Sequence, residues 1–343
     1  MAGRKKNITL GDIASLLGIS KATVSLAINN DPRVAVKTRQ NILRAVEELG
    51  YVYNRGAASL STGHSLTVGI AVHDITNPYF AEVCTECEAV LRSANRLAFL
   101  SSTRESRDHQ LRFIKALIEH RGDGLIMSPV DGTGMEDLQS IRINRLPTVL
   151  IARNIEGAEL DFVGNDDVAA FRALTNHLIS LGHTRIAMVG GGQQAMVSQN
   201  RREGFFQAMK EHGLSVDPAL VLDVLTSPAG GEQAFAILQT TLKMPTAVIA
   251  FTDLIAFGLL SAMHRKGMVP GRDLAVVGCD DIDEAARGYV QLTTMRTCKG
   301  EIGKKAAELL LRRIRQPEAP VQQIRLHAEL VIRQSCGARP IPL

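Results

Sequence analysis

Two groups of residues in this chain have the types and spacing to do chemistry, and the chemistry is recognition. Near the N-terminus, Lys21, Ala22 and Ser25 follow Ser20, whose hydroxyl can cap a short helix, so an ammonium, a methyl and a hydroxyl share its first turns. On a helix lodged in a DNA major groove, such a lysine can donate to guanine O6 or N7 and the alanine methyl can meet a thymine methyl. The second group follows apolar runs along the chain: Asp74, Asn77, Tyr79 and Phe80 after the first run, then Ser128, Arg153, Thr252 and Asp280 at later ones. Side chains at strand ends project into a ligand crevice, where an aromatic can stack on a sugar or base face. Bond-breaking chemistry has no comparable support. No serine, histidine and acid constellation or glutamate pair occupies an identifiable strand end, so the chain is read as a binder, not an enzyme. Cys84 and Cys87 fit a CxxC spacing but fall inside an expected helix without a second pair, and Gly190–Gly192 lacks the lysine of a phosphate loop. No metal and no cofactor is expected.

The elements that must hold these residues come in two styles. The first fifty residues read as three short helices: Leu10–Leu17, with Ile13, Leu16 and Leu17 inward; Lys21–Ile28, reached through Gly18 and Ile19; and about Val36–Leu49, burying Ile42, Val46 and Leu49. Two short helices joined through a glycine turn and braced by a third form a helix-turn-helix unit. From Leu66 the pattern becomes apolar strands at Leu66–Val72, Leu97–Ser101, Gly124–Ser128, Pro147–Ala152, Arg185–Val189, Thr246–Ala250 and Leu274–Gly278. Helices such as Ser106–His120, Val168–Leu181, Gln199–His212 and Leu254–Lys266 alternate with them. That alternation implies parallel sheets covered on both faces, and its length implies two doubly wound lobes.

Charge is distributed unevenly. The whole chain of 343 residues carries +4, while residues 1–62 hold nine Lys/Arg against four Asp/Glu. A basic head on a near-neutral body is the footprint of a module that meets phosphates. No apolar stretch approaches the roughly 20 residues of a membrane helix, so no membrane partner is expected. The N-terminal MAGRKKNITLGD lacks the apolar run of a secretory signal, and five scattered cysteines do not form a disulfide framework, so a cytoplasmic location is expected.

The motifs then become specific. Ile8-Thr9-Leu10-Gly11-Asp12-Ile13-Ala14, Ile19-Ser20-Lys21-Ala22-Thr23-Val24-Ser25, Lys37-Thr38-Arg39, Leu49-Gly50-Tyr51 and Asn54-Arg55 resemble, in order, the head of the lactose/galactose repressor family. The similarity continues through Asn77-Pro78-Tyr79-Phe80, Gly182-His183-Thr184-Arg185, Arg201-Arg202-Glu203-Gly204-Phe205, Val277-Gly278-Cys279-Asp280-Asp281 and Glu329-Leu330-Val331-Ile332-Arg333. The resemblance implies a homodimer reading a pseudo-palindromic, double-stranded operator and controlled by a small-molecule effector held in a periplasmic-binding-protein-like body. It implies a head at 1–53, a hinge helix at 54–63 and a body at 64–343, whose first lobe spans about 65–163 plus 297–322 and whose second spans about 164–294 plus 323–340.

By family position Thr9, Leu10, Thr23, Asn29, Arg33, Thr38 and Tyr51 would clamp the DNA backbone or groove walls, which orients the head without specifying sequence. Asn54, Ala57 and Leu60 fall on the hinge helix, with Leu60 the wedge for the minor groove. Arg201 matches the arginine that grips a hydroxyl or carboxylate, and Asp280 a carboxylate that accepts from vicinal hydroxyls. Leu26, Ala35 and Tyr53 depart from the family's usual arginine, serine and proline, and Ala152 and Thr252 from its usual aspartate and asparagine. A sugar or sugar derivative is the expected effector, with a carboxylate-bearing metabolite next and a nucleobase third. The sequence ends without a heptad tail, so a dimer is expected rather than a tail-zippered tetramer.

Overall fold

The computed structural model describes residues 8–28, 30–53, 63–192 and 195–338. The chain divides into two compact units, Met1–Ser65 and Leu66–Leu343. The expected positions Asn29, Asn54, Ala57 and Leu60, and with them the hinge helix, lie outside the described residues.

In the first unit, α1 (Leu10–Leu17) and α2 (Lys21–Ile28) turn by 108° across their break, and α3 (Val36–Glu48) braces them. Local chemistry sets the ends. The Thr9 hydroxyl accepts from Asp12 N at 3.3 Å while Thr9 N donates to Asp12 Oδ2 at 2.8 Å, closing a capping box. Gly18 takes φ +64°, which terminates α1 at no steric cost, and Ser20 Oγ accepts from Thr23 N at 3.1 Å to start α2. Ala35 gives α3 no side-chain cap. Ile13, Val24 and Ile42 are fully buried at the centre, with Leu17, Ile28, Val46 and Leu49 packed around them. Leu16, expected inside, is 63% exposed. In a two-turn helix the inward arc is filled by Ile13, Ala14 and Leu17, and Leu16 falls on the far side of Ile13.

The second unit holds two six-stranded sheets, both made of the alternation read from the sequence. The first contains β1 (Thr67–Val72), β2 (Leu97–Ser102), β3 (Gly124–Met127), β4 (Thr148–Ile151), β5 (Asp161–Asn165) and β11 (Gln323–Leu326), ordered β11-β5-β4-β3-β1-β2 and parallel throughout. The second contains β6 (Ile186–Val189), β7 (Val221–Leu222), β8 (Ala247–Ala250), β9 (Ala275–Asp280), β10 (Thr293–Arg296) and β12 (Glu329–Val331), ordered β12-β10-β9-β8-β6-β7, with β12 alone antiparallel. On one face of the first sheet lie α4 (Pro78–Ser93) and α12 (Lys299–Arg315), and on the other α5 (Arg107–Glu119) and α6 (Gln139–Ile143). The second sheet is packed by α7 (Asp167–Ser180), α8 (Met196–Glu211), α9 (Pro228–Gln239) and α10 (Asp253–Arg265), with α11 (Asp283–Arg287) at its rim. Buried strands with helices on both faces leave the carboxyl ends as the place where polar side chains gather.

Five strands were not anticipated: β5, β10, β11 and β12 are three to five residues long and carry Asp, Gly, Gln, Arg or Glu where a buried run is expected to be apolar, and β7 is only the two residues Val221–Leu222. They move the lobe boundaries. Residues 323–326 were expected in the second lobe, yet β11 pairs with β5 at the edge of the first sheet, so the chain crosses only after Leu326. Likewise β5 extends the first lobe to Asn165 and β10 extends the second to Arg296. The three crossing segments are laced together: Cys298 N donates to Asn165 Oδ1 at 3.2 Å, and Cys298 Sγ donates to His327 O at 3.1 Å.

Candidate functional site

On the head, Lys21 and Ala22 are exposed at the start of α2, and Thr23 and Ser25 are half-buried. The Lys21 side chain runs over Gly11, where an added Cβ would come within 2.8 Å of Lys21 Cε, so the glycine gives the lysine its path across α1. Ser25 Oγ stands 3.5 Å from the hydroxyl of Tyr53. Thr9 serves α1 as its cap; Leu10, Thr38 and Tyr51 are half-buried, Leu10 and Tyr51 against the head core. Arg33, 74% exposed, forms a fork with Asp31 through Nε and Nη2 at 2.9 and 2.8 Å, and this hydrogen-bonded guanidinium holds the Asp31 carboxyl down at about 2. Leu26, the departure from the family's arginine, packs against the head core.

In the second unit a cavity of about 870 Å³ opens between the carboxyl ends of the two sheets. Asp74, Asn77, Tyr79, Phe80, Arg153, Thr252 and Asp280 line it, as the strand-end reading expected, and so does Arg201, which the family resemblance pointed to. Ser128 does not. It is fully buried behind the wall, with Oγ 3.4 Å from His73 Nδ1, because β3 ends at Met127 and turns the next side chain inward. The backbone around the opening is strained: Arg104, Glu105, Ala152, Asp280 and Asp281 all take φ between 50° and 128° without being glycine. Such conformations persist where the surroundings over-determine them, as at ligand clamps.

Charge in the crevice is organised as pairs. Arg201 Nε donates to Asp167 Oδ1 at 2.8 Å, another guanidinium nitrogen donates to Phe251 O, and the Phe171 ring lies 5.1 Å from its centre. Burial pushes the Asp167 carboxyl up while Arg201 opposes it; burial also disfavours charge on Arg201, but Asp167 keeps it firmly cationic. Arg153 donates to both Glu105 oxygens at 3.0 and 2.7 Å and to Pro129 O. Asp74 accepts from Thr76 N and Oγ1, and Thr252 caps α10 by accepting from Ile255 N. Asp280, the last residue of β9, is 4% exposed and its carboxyl accepts no hydrogen bond from a described residue; burial pushes it well above the carboxylate range. Its carbonyl, with that of Asp281, is held by Lys299 Nζ at 2.8 and 3.0 Å from the start of α12. His73 stacks edge-on to Phe80, and burial together with the Arg153 charge holds it down at about 3.

Comparison with known proteins places both halves. Residues 9–54 match the model of bacterial regulatory proteins of the lacI family, and residues 175–336 match a periplasmic binding protein-like domain. The HTH-type transcriptional repressor PurR of Pasteurella multocida is 30% identical over 334 residues, covering 96% of this chain and 99% of the relative. The chain belongs to the lacI family. The HTH-type transcriptional regulator DegA of Bacillus subtilis is 31% identical over 95% of this chain and 97% of its own length. A solved complex of the transcriptional regulator CelR with cellobiose is 26% identical with a TM-score of 0.72, covering 96% of this chain and 99% of that one. These relatives are regulators of transcription and not enzymes, and the lacI-family chain is likewise a transcriptional regulator with a DNA-binding head and a ligand-binding body.

Several residues of this regulator's crevice escaped the sequence reading: His73, Glu105, Asp131, Asn165, Asp167 and Phe251. Asn165 ends β5 and Asp167 follows it, and β5 was not recognised as a strand; Glu105 gives no local signal in a short turn after β2. The CxxC spacing lies within α4, where burial pushes the Cys84 thiol up to about 11 and that of Cys87 higher still, leaving both protonated and unreactive. Among the described residues no group of three His, Cys, Asp or Glu is placed to hold a metal ion, and no single helix is long and apolar enough to cross a membrane.

Arg201→Met leaves Asp167 buried without its cation and is expected to cost about 3–5 kcal/mol in urea unfolding, most of it recovered in the Arg201→Met/Asp167→Asn double variant. His73, held at about 3 against an ordinary 6.5, takes up its proton in the unfolded chain first. Its contribution is therefore intact above pH 6.5 and is lost as pH falls toward 3. His73→Gln should flatten the loss of stability measured between pH 6.5 and 5.

Proposed function

We propose that this regulator binds a pseudo-palindromic operator as a homodimer and that a polyhydroxylated small molecule, a sugar or sugar derivative, in the inter-lobe crevice sets its affinity for DNA. The observation that carries the effector reading is the buried Asp280 carboxyl, aimed into the 870 Å³ cavity without a hydrogen-bond donor of its own. Hydroxyls supply such donors, and Tyr79 and Phe80 line the same cavity. The relative CelR, solved with cellobiose, supports the class. The carboxylate-bearing alternative is disfavoured because both arginines that would grip an anion, Arg153 and Arg201, are engaged by Glu105 and Asp167.

On the head, Lys21, Ala22 and Ser25 are assigned to base edges, with Thr9, Leu10, Thr23, Asn29, Arg33, Thr38 and Tyr51 on the backbone or groove walls and Asn54, Ala57 and Leu60 on the minor groove. Exposure of Lys21 and Ala22 at the start of α2 supports the first assignment. The Arg33–Asp31 fork and the Ser25–Tyr53 contact mean that those two side chains reach DNA only by exchanging a partner they already have. Dimerisation is supported by β2 at the sheet edge, whose Leu97, Phe99 and Leu100 are 60%, 49% and 51% exposed, an apolar edge that solvent alone does not favour. An effector shifts the equilibrium by its differential affinity for two lobe arrangements, typically about 1–3 kcal/mol of coupling.

Selection of bound duplexes from a random pool should return a two-fold symmetric site. Lys21→Ala should relax preference at one position of each half-site by about 1–3 kcal/mol; an equal loss on every duplex would remove its base-reading role. A thermal-shift panel of sugars, sugar acids and nucleobases should pick out hydroxylated compounds, since a ligand at about 100 times its Kd stabilises the fold by roughly 2.7 kcal/mol.

A further inference from the structure

We infer that the crevice ligand carries a protonated amine on its hydroxylated frame, received by Asp131 from the first lobe and Asp280 from the second; this rests on the crevice being the effector site. Among the described residues, Asp74, Glu105, Asp131, Asp167, Asp223 and Asp280 are the carboxylates lining the cavity, against the guanidiniums of Arg104, Arg153 and Arg201. Pairing removes most of these charges. Glu105 is taken by Arg153, Asp167 by Arg201 and Asp223 by Arg202 from α8, while Asp74 accepts from the Thr76 backbone and hydroxyl at the rim. Asp131 and Asp280 are left. Asp131 Oδ1 is shielded from solvent and has no hydrogen-bond partner, and Asp280, a residue 4% exposed, has a carboxyl that accepts no hydrogen bond from a described residue.

The two come from opposite sides of the opening. Asp131 follows β3 in the first lobe, its backbone N–H fixed by Glu105 Oε2 at 3.0 Å, and its Oδ2 packs on Gly192 of the second lobe, where an added Cβ would lie 2.1 Å away. The absence of a side chain at Gly192 therefore lets a carboxylate reach across the crevice. Asp280 is anchored through its carbonyl by Lys299 Nζ and Thr297 Oγ1, contacts that fix the backbone and leave the carboxyl itself unsupplied. Arg104 is exposed at the rim, hydrated and screened, and compensates neither group. Asp131 keeps a shielded oxygen without a donor, and burial disfavours the charged form of Asp280; a cation with three N–H donors favours the Asp280 carboxylate and supplies hydrogen bonds to both, which a hydroxyl does only in part. An anionic ligand would meet Asp131 as a like charge and disfavour the charged form of Asp280 further. The structure thus selects an aminated polyol over a neutral sugar and over a sugar acid.

The test is a thermal-shift and calorimetric comparison of the full-length protein with glucosamine, galactosamine and mannosamine, each against its neutral parent and its N-acetyl derivative. At least one free amine is expected to bind about tenfold or more tightly than both counterparts, the margin of a charge-assisted hydrogen bond, and Asp131→Asn is expected to weaken the amine more than its neutral parent, so that the margin between them closes. A parent that binds as well as its amine overturns this inference and leaves the hydroxylated effector standing. Binding of sugar acids alone overturns both. Should no probe bind, the ligand-free variants decide: Asp131→Asn and Asp280→Asn raise the melting temperature if these carboxyls are unsupplied in the protein, and an unchanged or lowered value overturns the inference.

Discussion

Two sheets covered by helices on both faces have no place in their interiors for an ion, so charge collects beyond the carboxyl ends of the strands. Here the two sheets present those ends to one another, and the Arg201–Asp167 pair is where the consequence is most concentrated: a guanidinium almost wholly out of water, held by a carboxylate, a carbonyl and an aromatic face. That pair fixes the start of α7 against α8 and the end of β8, and thereby the wall on which the rest of the crevice is built. Arg153 and Glu105 do the same for the facing lobe. With both arginines consumed in this way, what the cavity still offers a ligand is mostly acceptor, and the polarity of the site follows from its scaffolding.

The lobes are joined by three crossing segments that are hydrogen-bonded to one another at Asn165, Cys298 and His327. Beside them Lys299, on the first turn of α12, grips the carbonyls of the strained Asp280–Asp281 turn and lies 3.7 Å from Glu82 on α4. A change in how Asp280 is engaged therefore acts on a residue that belongs to the helix layer of the first lobe.

The head and the body obey different physics. The head is small and owes its geometry to local devices: a capping box at Thr9 and Asp12, a left-handed glycine at 18, a serine cap at 20, and three fully buried aliphatic side chains. Its departures are absorbed locally too, Leu26 into the core and Tyr53 onto Ser25. The body owes little to such devices and depends on pairings between residues far apart in the chain.

That difference marks what could be read in advance. Helix periodicity, caps and glycines are encoded within a few residues, so the three head helices and the main strands of both sheets were legible to within one or two positions, and strand-end logic found seven of the eight expected crevice residues lining the cavity. Ser128 was misplaced because one residue of strand register turns a side chain from the opening to the wall. Short edge strands such as Gln323–Leu326 carry no apolar signature, since only a neighbour makes them strands, and the lobe boundary moved with them. Above all, the sequence shows Arg153 and Arg201 as free cations; that Glu105 and Asp167, 48 and 34 residues away, neutralise them is decided only when the chain folds, because ion pairing depends on distance in space and leaves no trace in spacing along the chain.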